Sequence, residues 1–202
     1  ATKSSPMGSV DYPFNPLSVA LGAGCSFVAR ALDSDRKGLD ETLTTAAHHR
    51  GTSFVEIYQN CPIFNDGAFD DYKGPEAAER IVRLVDGEPI LLGADRSKGV
   101  VRDPVNGSLT VTEVAQVGMD HVVVHDATRP DPSLAFELAH LHDSGQISQI
   151  PLGILRSVSL PTYDDMVRDQ LRLAGGSADD KPARDAALQQ LLRGNDTWQV
   201  HN

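Results

Sequence analysis

The apolar and polar positions of this chain alternate in short periods that predict helices and strands in turn. Residues 1–14 are mostly polar and carry Pro6, Gly8 and Pro13, so they read as a loop. Asn15 followed by Pro16 is a helix start, because Asn caps the exposed amides and Pro fits the first helical position. The helix Leu17–Leu21 is short and stops at Gly22 or Gly24. Cys25–Arg30 reads as a strand. Asp33 or Ser34 caps a helix over 36–49, with Leu39, Leu43, Ala46 and Ala47 on one face, and Gly51 ends it. Phe54–Tyr58 is the next strand. This order and spacing are those of βαβ units, and they predict an α/β fold with a parallel sheet.

After Cys61 the rhythm changes. Phe64-Asn65-Asp66-Gly67 is turn chemistry. Pro75–Val85 reads as an amphipathic helix, and Ile90–Leu92, Gly99–Arg102 and Leu109–Val114 as short strands, with Asn106-Gly107 as a hairpin turn. Val122–Val124 is a buried strand candidate, and Pro132–His142 a helix with Leu134, Leu138 and Leu141 on one side. Leu152–Leu155 is a short apolar run. Helices are expected over Pro161–Leu173 and Pro182–Leu192, with a joint at Gly175-Gly176-Ser177. The change of pattern places a boundary near residue 67. Residues 1–66 are then the end of an α/β domain, and residues 67–202 a mixed α+β extension.

Composition narrows the function classes. The chain has 202 residues, 40% of them hydrophobic, enough for a core of one domain with an appendage. A formal net charge of -10 argues against a nucleic-acid surface, which needs clustered Lys and Arg. Two cysteines, Cys25 and Cys61, are too few for a disulfide framework. No apolar run approaches a membrane span, and the first residues lack the apolar core of a signal peptide. Partners on nucleic acid or membrane are not expected, and a cytoplasmic location is.

Most candidate site residues have a structural explanation. Gly22-Ala23-Gly24 lacks the third glycine of a dinucleotide fingerprint and follows a helix instead of a strand. His121 and His125 flank an apolar triplet and read as the ends of a buried strand. His140 and His142 sit at a helix end, where a cation is favoured. Asp70-Asp71, Asp164-Asp165 and Asp179-Asp180 suit capping or first-turn positions. Cys25 lies in an apolar run and reads as core. Cys61 differs. A strand-like run delivers it into a loop stiffened by Pro62, a good way to hold a soft, anionic metal ligand still.

That segment, Val55-Glu56-Ile57-Tyr58-Gln59-Asn60-Cys61-Pro62-Ile63-Phe64-Asn65-Asp66, resembles a stretch of the β subunit of 2-oxoacid:ferredoxin oxidoreductases. In that family the stretch carries the last cysteine ligand of an iron–sulfur cluster. The run Thr2–Pro16 is similar to one that follows the family's thiamine-diphosphate motif. The resemblance continues through Leu152–Arg156, Pro161–Asp165, Ala187–Leu192 and Asp196–Trp198. The long extension resembles the actinobacterial type acting on 2-oxoglutarate. The Gly-Asp-Gly motif for thiamine diphosphate and magnesium is absent from this sequence.

The resemblance implies the end of a thiamine-diphosphate-binding parallel-sheet domain followed by an interface extension. It implies oxidative decarboxylation of 2-oxoglutarate to succinyl-CoA, with electrons passed to ferredoxin. The implied cofactors are thiamine diphosphate, magnesium and a four-iron four-sulfur cluster. Cys61 would be the fourth cluster ligand, and Lys3 and Ser5 would lie in a loop near the diphosphate or substrate. The implied partners are an α subunit, the N-terminal part of the β subunit, ferredoxin, coenzyme A and the 2-oxoacid. On this reading the chain is the back part of a longer subunit and inactive alone. Two other readings stay open: a catalytically silent docking module for the partner subunit or ferredoxin, and a stand-alone α/β domain.

Overall fold

The computed structural model describes residues 6–8, 10, 11, 13–74, 76–142, 149–175, 180–195, 198 and 200. The chain divides into two compact units, residues 1–160 and 161–202.

In the first unit, α1 (Pro16–Gly22) starts as expected, with the Asn15 side chain accepting from the Ser18 amide. Asn15 also donates to the Ala139 carbonyl at 3.1 Å, tying α1 to the end of α5 (Ser133–His140). Strand β1 (Phe27–Leu32) is buried along its whole length and forms a parallel pair with β2 (Ser53–Tyr58), from Phe27↔Ser53 to Leu32↔Tyr58. The crossover between them is α2 (Arg36–His48). Its cap is Asp35, which accepts from the Gly38 amide, and not Asp33 or Ser34. The α/β pattern with parallel pairing is therefore present.

The rest of this sheet comes from further along the chain. The strand order is β2-β1-β7-β3, with β3 spanning Ile81–Leu84 and β7 spanning Ile150–Ser157. Strand β7 is antiparallel to β1 and parallel to β3, and the β1–β7 register shifts between Val28 and Ala29. The sheet therefore joins strands from both sides of residue 67. The helix expected over 75–85 shrinks to α3 (Ala77–Arg80). The reason is tertiary: Ile81 and Val82 are β-branched and buried, and pairing with Ile150 and Pro151 overrides helical periodicity.

A second sheet has the order β4-β5-β6, with β4 (Leu91–Leu92), β5 (Lys98–Arg102) and β6 (Leu109–Glu113). The Asn106-Gly107 turn lies in the β5–β6 connection, where Gly107 donates to the Asp103 carbonyl at 2.8 Å. A single turn of helix, α4 (Val114–Val117), follows. The strand expected over 122–124 is reduced to isolated bridges, Val122 with Val101 and Val124 with Pro89. One core cluster gathers Leu17, Val28, Val82, Leu92, Val100 and Leu138 between the helices and both sheets. A smaller one places Leu32, Ile81, Ile150 and Leu152 under Tyr58, Phe69 and Tyr72.

The second unit contains α6 (Tyr163–Gly175) and α7 (Lys181–Arg193), the latter capped by Asp180. Both helices match the expected spans within two residues. The proposed joint has Gly175 as the last residue of α6, and Gly176 and Ser177 lie outside the described residues.

The loop between α2 and β2 carries a titratable contact. Ser26 Oγ lies 2.9 Å from His49 Nε2, and the Thr52 amide donates to the same hydroxyl at 3.0 Å. Burial holds the His49 pKa below its ordinary value, because the imidazolium would lose solvation. A base with a depressed folded pKa stabilises the fold above its unfolded value and loses that contribution as pH falls through the folded one. Urea midpoints taken from pH 7.5 down to 5 are expected to fall further for the parent chain than for His49→Gln.

Candidate functional site

Strands β1 and β2 run parallel, so their carboxyl ends meet, and in open α/β sheets that is where ligands bind. There the Asp33 amide donates to the Tyr58 carbonyl at 3.0 Å, continuing the pairing one step past β1. One residue beyond Gln59 the chain leaves the sheet into the Cys61 loop.

The loop is built around Cys61. The Asn65 amide donates to the Cys61 carbonyl at 2.9 Å and closes a tight turn. Pro62 has no amide to offer, and its fixed φ starts that turn. Hydrogen bonds from Phe64 first, then Ile63 and Asn65, hold the Cys61 thiol below its ordinary pKa, against opposing effects of burial and the Asp66 charge. Converging amides form an anion-binding concavity, and they stabilise a thiolate over a thiol. Cys61 itself is half-buried, while the Ile63 and Phe64 side chains are 79% and 62% exposed.

The walls of the loop are fixed by polar contacts. Asp33 Oδ2 accepts from the Asn60 amide at 3.2 Å. Asn60 Nδ2 donates to Asp66 at 2.9 Å, and Asn60 Oδ1 accepts from the Gly67 amide at 2.9 Å. Behind the loop, Tyr58 stacks on Phe69 with centroids 4.9 Å apart, and the Arg30 guanidinium lies 5.1 Å over the Tyr58 ring.

The other cysteine is placed elsewhere. Cys25 is buried just before β1, and its thiol donates to the Phe27 and Thr52 carbonyls. Cys61 follows the far end of β2. Six residues of strand at about 3.3 Å each put roughly 20 Å between the two. Cys25 is therefore core, and the two thiols cannot share one metal site. Among the described residues no group of three or more His, Cys, Asp or Glu could hold a metal ion. Cys61 fits a single corner of a cluster whose remaining ligands come from other residues. Lys3 and Ser5 lie outside the described residues.

A cavity of about 560 Å³ lies beside α2, lined by Ala31, Leu32, Thr42, Leu152 and Gly153. Its charged rim is already neutralised, with Arg83 donating to Asp35 at 2.6 Å. Burial acts to raise the Asp35 pKa, but the Arg83 bond and charge and the Gly38 amide hold it below the ordinary range. The histidines end in structural contacts. His125 is fully buried with Nε2 2.7 Å from the Ile154 carbonyl, and His140 Nε2 lies 2.7 Å from Ser18 Oγ. No helix among the described residues is long and apolar enough to cross a membrane.

Comparison with known proteins adds what the geometry lacks. No family model matches the chain. It is 51% identical over 199 residues, 98% of its length, to the 2-oxoglutarate oxidoreductase subunit KorB of Mycobacterium tuberculosis. The chain is similar to the β subunits of 2-oxoacid:ferredoxin oxidoreductases. It spans about half the length of KorB, 52%. The 2-oxoacid:ferredoxin oxidoreductase subunit beta of Saccharolobus solfataricus is 37% identical over 65 residues, 32% of this chain and 21% of that subunit. The 2-oxoglutarate synthase subunit KorB of Archaeoglobus fulgidus is 38% identical over 61 residues, 30% of this chain and 23% of its own length. A solved 2-oxoglutarate:ferredoxin oxidoreductase from Magnetococcus marinus, with 2-oxoglutarate, coenzyme A and succinyl-CoA bound, superposes with a TM-score of 0.56. That match is 23% identical and covers 92% of this chain and 47% of the other, so the α/β fold is common to both.

Asn60 and Asp33 were not singled out by sequence reasoning. The available signal was an Asn immediately before the cysteine and an Asp-Gly pair after it, residues that fold loops by side-chain-to-backbone bonds.

Proposed function

We propose that this chain is part of the β subunit of a CoA-acylating 2-oxoacid:ferredoxin oxidoreductase acting on 2-oxoglutarate. The supporting observation is 51% identity over almost the whole chain to a 2-oxoglutarate oxidoreductase subunit. In the complete enzyme the Cys61 thiolate is one of four ligands of a four-iron four-sulfur cluster, which carries single electrons from the oxidised 2-oxoacid to ferredoxin. The amides of residues 63–65 offset the negative charge at that sulfur. Lys3 and Ser5 belong to the loop beside thiamine diphosphate, whose magnesium-binding motif this chain does not carry. The partners are an α subunit, the preceding part of the β subunit, ferredoxin, coenzyme A and the 2-oxoacid, in the cytoplasm. The chain alone is inactive, since one thiolate does not hold a cluster.

We assign residues 1–66 to the thiamine-diphosphate domain and residues 67–202 to a subunit-facing extension. The archaeal matches of 61 and 65 residues have the length of the first segment. The extension ends in two helices with Leu171, Leu173, Leu188, Leu191 and Leu192 exposed, which favours a protein-facing role.

The test is Cys61→Ala in the complete β subunit assembled with its α subunit. Iron, acid-labile sulfide and reduction of ferredoxin with 2-oxoglutarate or pyruvate are measured. The variant is expected to assemble, lose its cluster iron and fail to reduce ferredoxin. Full iron content in the variant overturns the role of Cys61, and preference for pyruvate overturns the substrate.

A further inference from the structure

We infer that β2 is a seam: its outer edge takes a further, parallel β-strand from the preceding part of the β subunit. The identity of that occupant rests on the reading of this chain as part of a longer β subunit. The open edge does not.

Strand β2 has the sequence of an interior strand and the burial of a border one. Ser53-Phe54-Val55-Glu56-Ile57-Tyr58 is apolar on both alternating faces, with Phe54 and Tyr58 on one and Val55 and Ile57 on the other. Near-continuous apolar runs of this kind belong to parallel strands covered on both sides. Strand β1 meets that expectation and is buried at every position. In β2 no residue is fully buried, and Ile57 is 41% exposed. The Ser53 hydroxyl donates to the Ala46 carbonyl at 3.0 Å, so Ser53, Val55 and Ile57 point to the side that α2 occupies, yet α2 leaves Ile57 partly bare.

The backbone is open along the same edge. Strand β2 ends the strand order and, among the described residues, pairs with β1 alone. The Thr52 and Tyr58 carbonyls accept from the Phe27 and Asp33 amides, which fixes the alternation. The peptide groups of Phe54 and Glu56 therefore point at β1. Those of Ser53, Val55 and Ile57 point outward and have no strand partner among the described residues. An edge left to water is normally blunted by proline, lysine, a bulge or brevity. Strand β2 has six residues in unbroken register with β1, no Pro and no Lys, and its one charge, Glu56, is turned into the pair with Arg30. A bare apolar edge of this kind is one that strand addition covers.

Length and charge choose the occupant. The chain spans 52% of the KorB relative, so about half of such a subunit lies outside these residues. A strand joined to the same polypeptide meets the edge at high effective concentration. A second copy would instead bring a net charge of -10 against -10. Run parallel to β2, the added strand ends level with Tyr58 at about 4.8 Å to its side. The residues that follow it then stand beside the Cys61 loop, so the seam decides which part of the subunit faces that sulfur.

The complete α–β enzyme is the test material. In residue-resolved hydrogen exchange the Val55 and Ile57 amides are expected to exchange within about tenfold of the Ala29 and Ala31 amides of β1. Exchange at the rate of an unprotected amide overturns the seam. Irradiation of enzyme with p-benzoylphenylalanine in place of Ile57 identifies the occupant. The expected product is a β subunit of unchanged mass on a denaturing gel, with position 57 linked to a peptide preceding this chain. A link to the α subunit, a band at twice the β-subunit mass, or a link confined to these 202 residues overturns the assignment. Should that variant not assemble, exchange of the unmodified β subunit without α, at two concentrations, decides instead: protection that needs α or rises with concentration overturns it. A β subunit that contains only these 202 residues sinks the reading of a longer subunit, whereas a longer subunit with unprotected Val55 and Ile57 sinks the seam alone.

Discussion

Glu56→Ala is expected to destabilise the first unit by about 3–5 kcal/mol, the usual cost of stranding one member of a buried ion pair. Arg30 is 3% exposed, and its Nε donates to Glu56 Oε2 at 2.6 Å. The two residues are direct neighbours in the β1–β2 register, so no water-filled gap separates them. Arg30 Nη1 is buried with no partner among the described residues. Removing Glu56 therefore leaves a cation with the Tyr58 ring as its remaining counterpart, and a cation–π contact contributes only about 1–2 kcal/mol. The double variant Arg30→Met, Glu56→Leu removes the charge as well as its partner, and it is expected to recover most of the loss. Urea unfolding of the single and double variants measures both. A double variant as weak as Glu56→Ala would show that the pair stabilises by shape and not by charge.

Gly153→Ala is expected to cost about 2–6 kcal/mol, adding backbone strain of 1–3 to overpacking of 1–3. Gly153 has φ +124 and sits in β7 between Arg30 of β1 and Leu84 of β3. A Cβ there would lie 2.7 Å from the Leu84 carbonyl oxygen and 3.2 Å from its Cβ. The clash is with backbone inside a four-stranded sheet, so no side-chain rotation relieves it. Thermal or urea unfolding is the measurement, and Gly107→Ala is the control. Gly107 has a positive φ too, but nothing lies within 4 Å of its added Cβ, so its cost is the strain alone. Equal losses in the two variants would contradict the packing argument.

The second effect depends on β7, and β7 was the least legible part of the sequence. Asn15-Pro16, the α2 span and the Phe54–Tyr58 run announce their structures through capping chemistry and periodicity, and they form where expected, although α2 buries Thr42 and leaves Leu43 of its apolar face exposed. Leu152–Leu155 announces only an apolar run. That it lies antiparallel to β1 is a pairing across roughly 130 residues of chain, and no local pattern encodes it. The failure at Ile81–Leu84 has the same origin. Its residues suit a helix end and a strand, and the neighbour Ile150–Gly153 chooses the strand. At the site, Cys61 was legible because a thiol after a strand and before a proline is distinctive. The turn closure from the Asn65 amide to the Cys61 carbonyl was not, since it is made of backbone, and every residue has a backbone. The Asn60 side-chain bonds to Asp66 and Gly67 lay between these cases: the residue type was visible but its partners were not.

The placement of the two thiols at opposite ends of the β1–β2 pair has a consequence for handling in air. A disulfide needs Cα atoms within about 7 Å, and roughly 20 Å of strand separates Cys25 from Cys61. Cys25 therefore cannot act as a resolving thiol for an oxidised Cys61. A sulfenic acid formed at Cys61 by peroxide then has two fates: capture by a thiol from outside these 202 residues, or further oxidation to the sulfinic acid, which is not readily reversed. Aerobic exposure would thus turn Cys61 into a crosslink or a dead end, and added small thiol would divert the sulfenic acid into a reducible mixed disulfide.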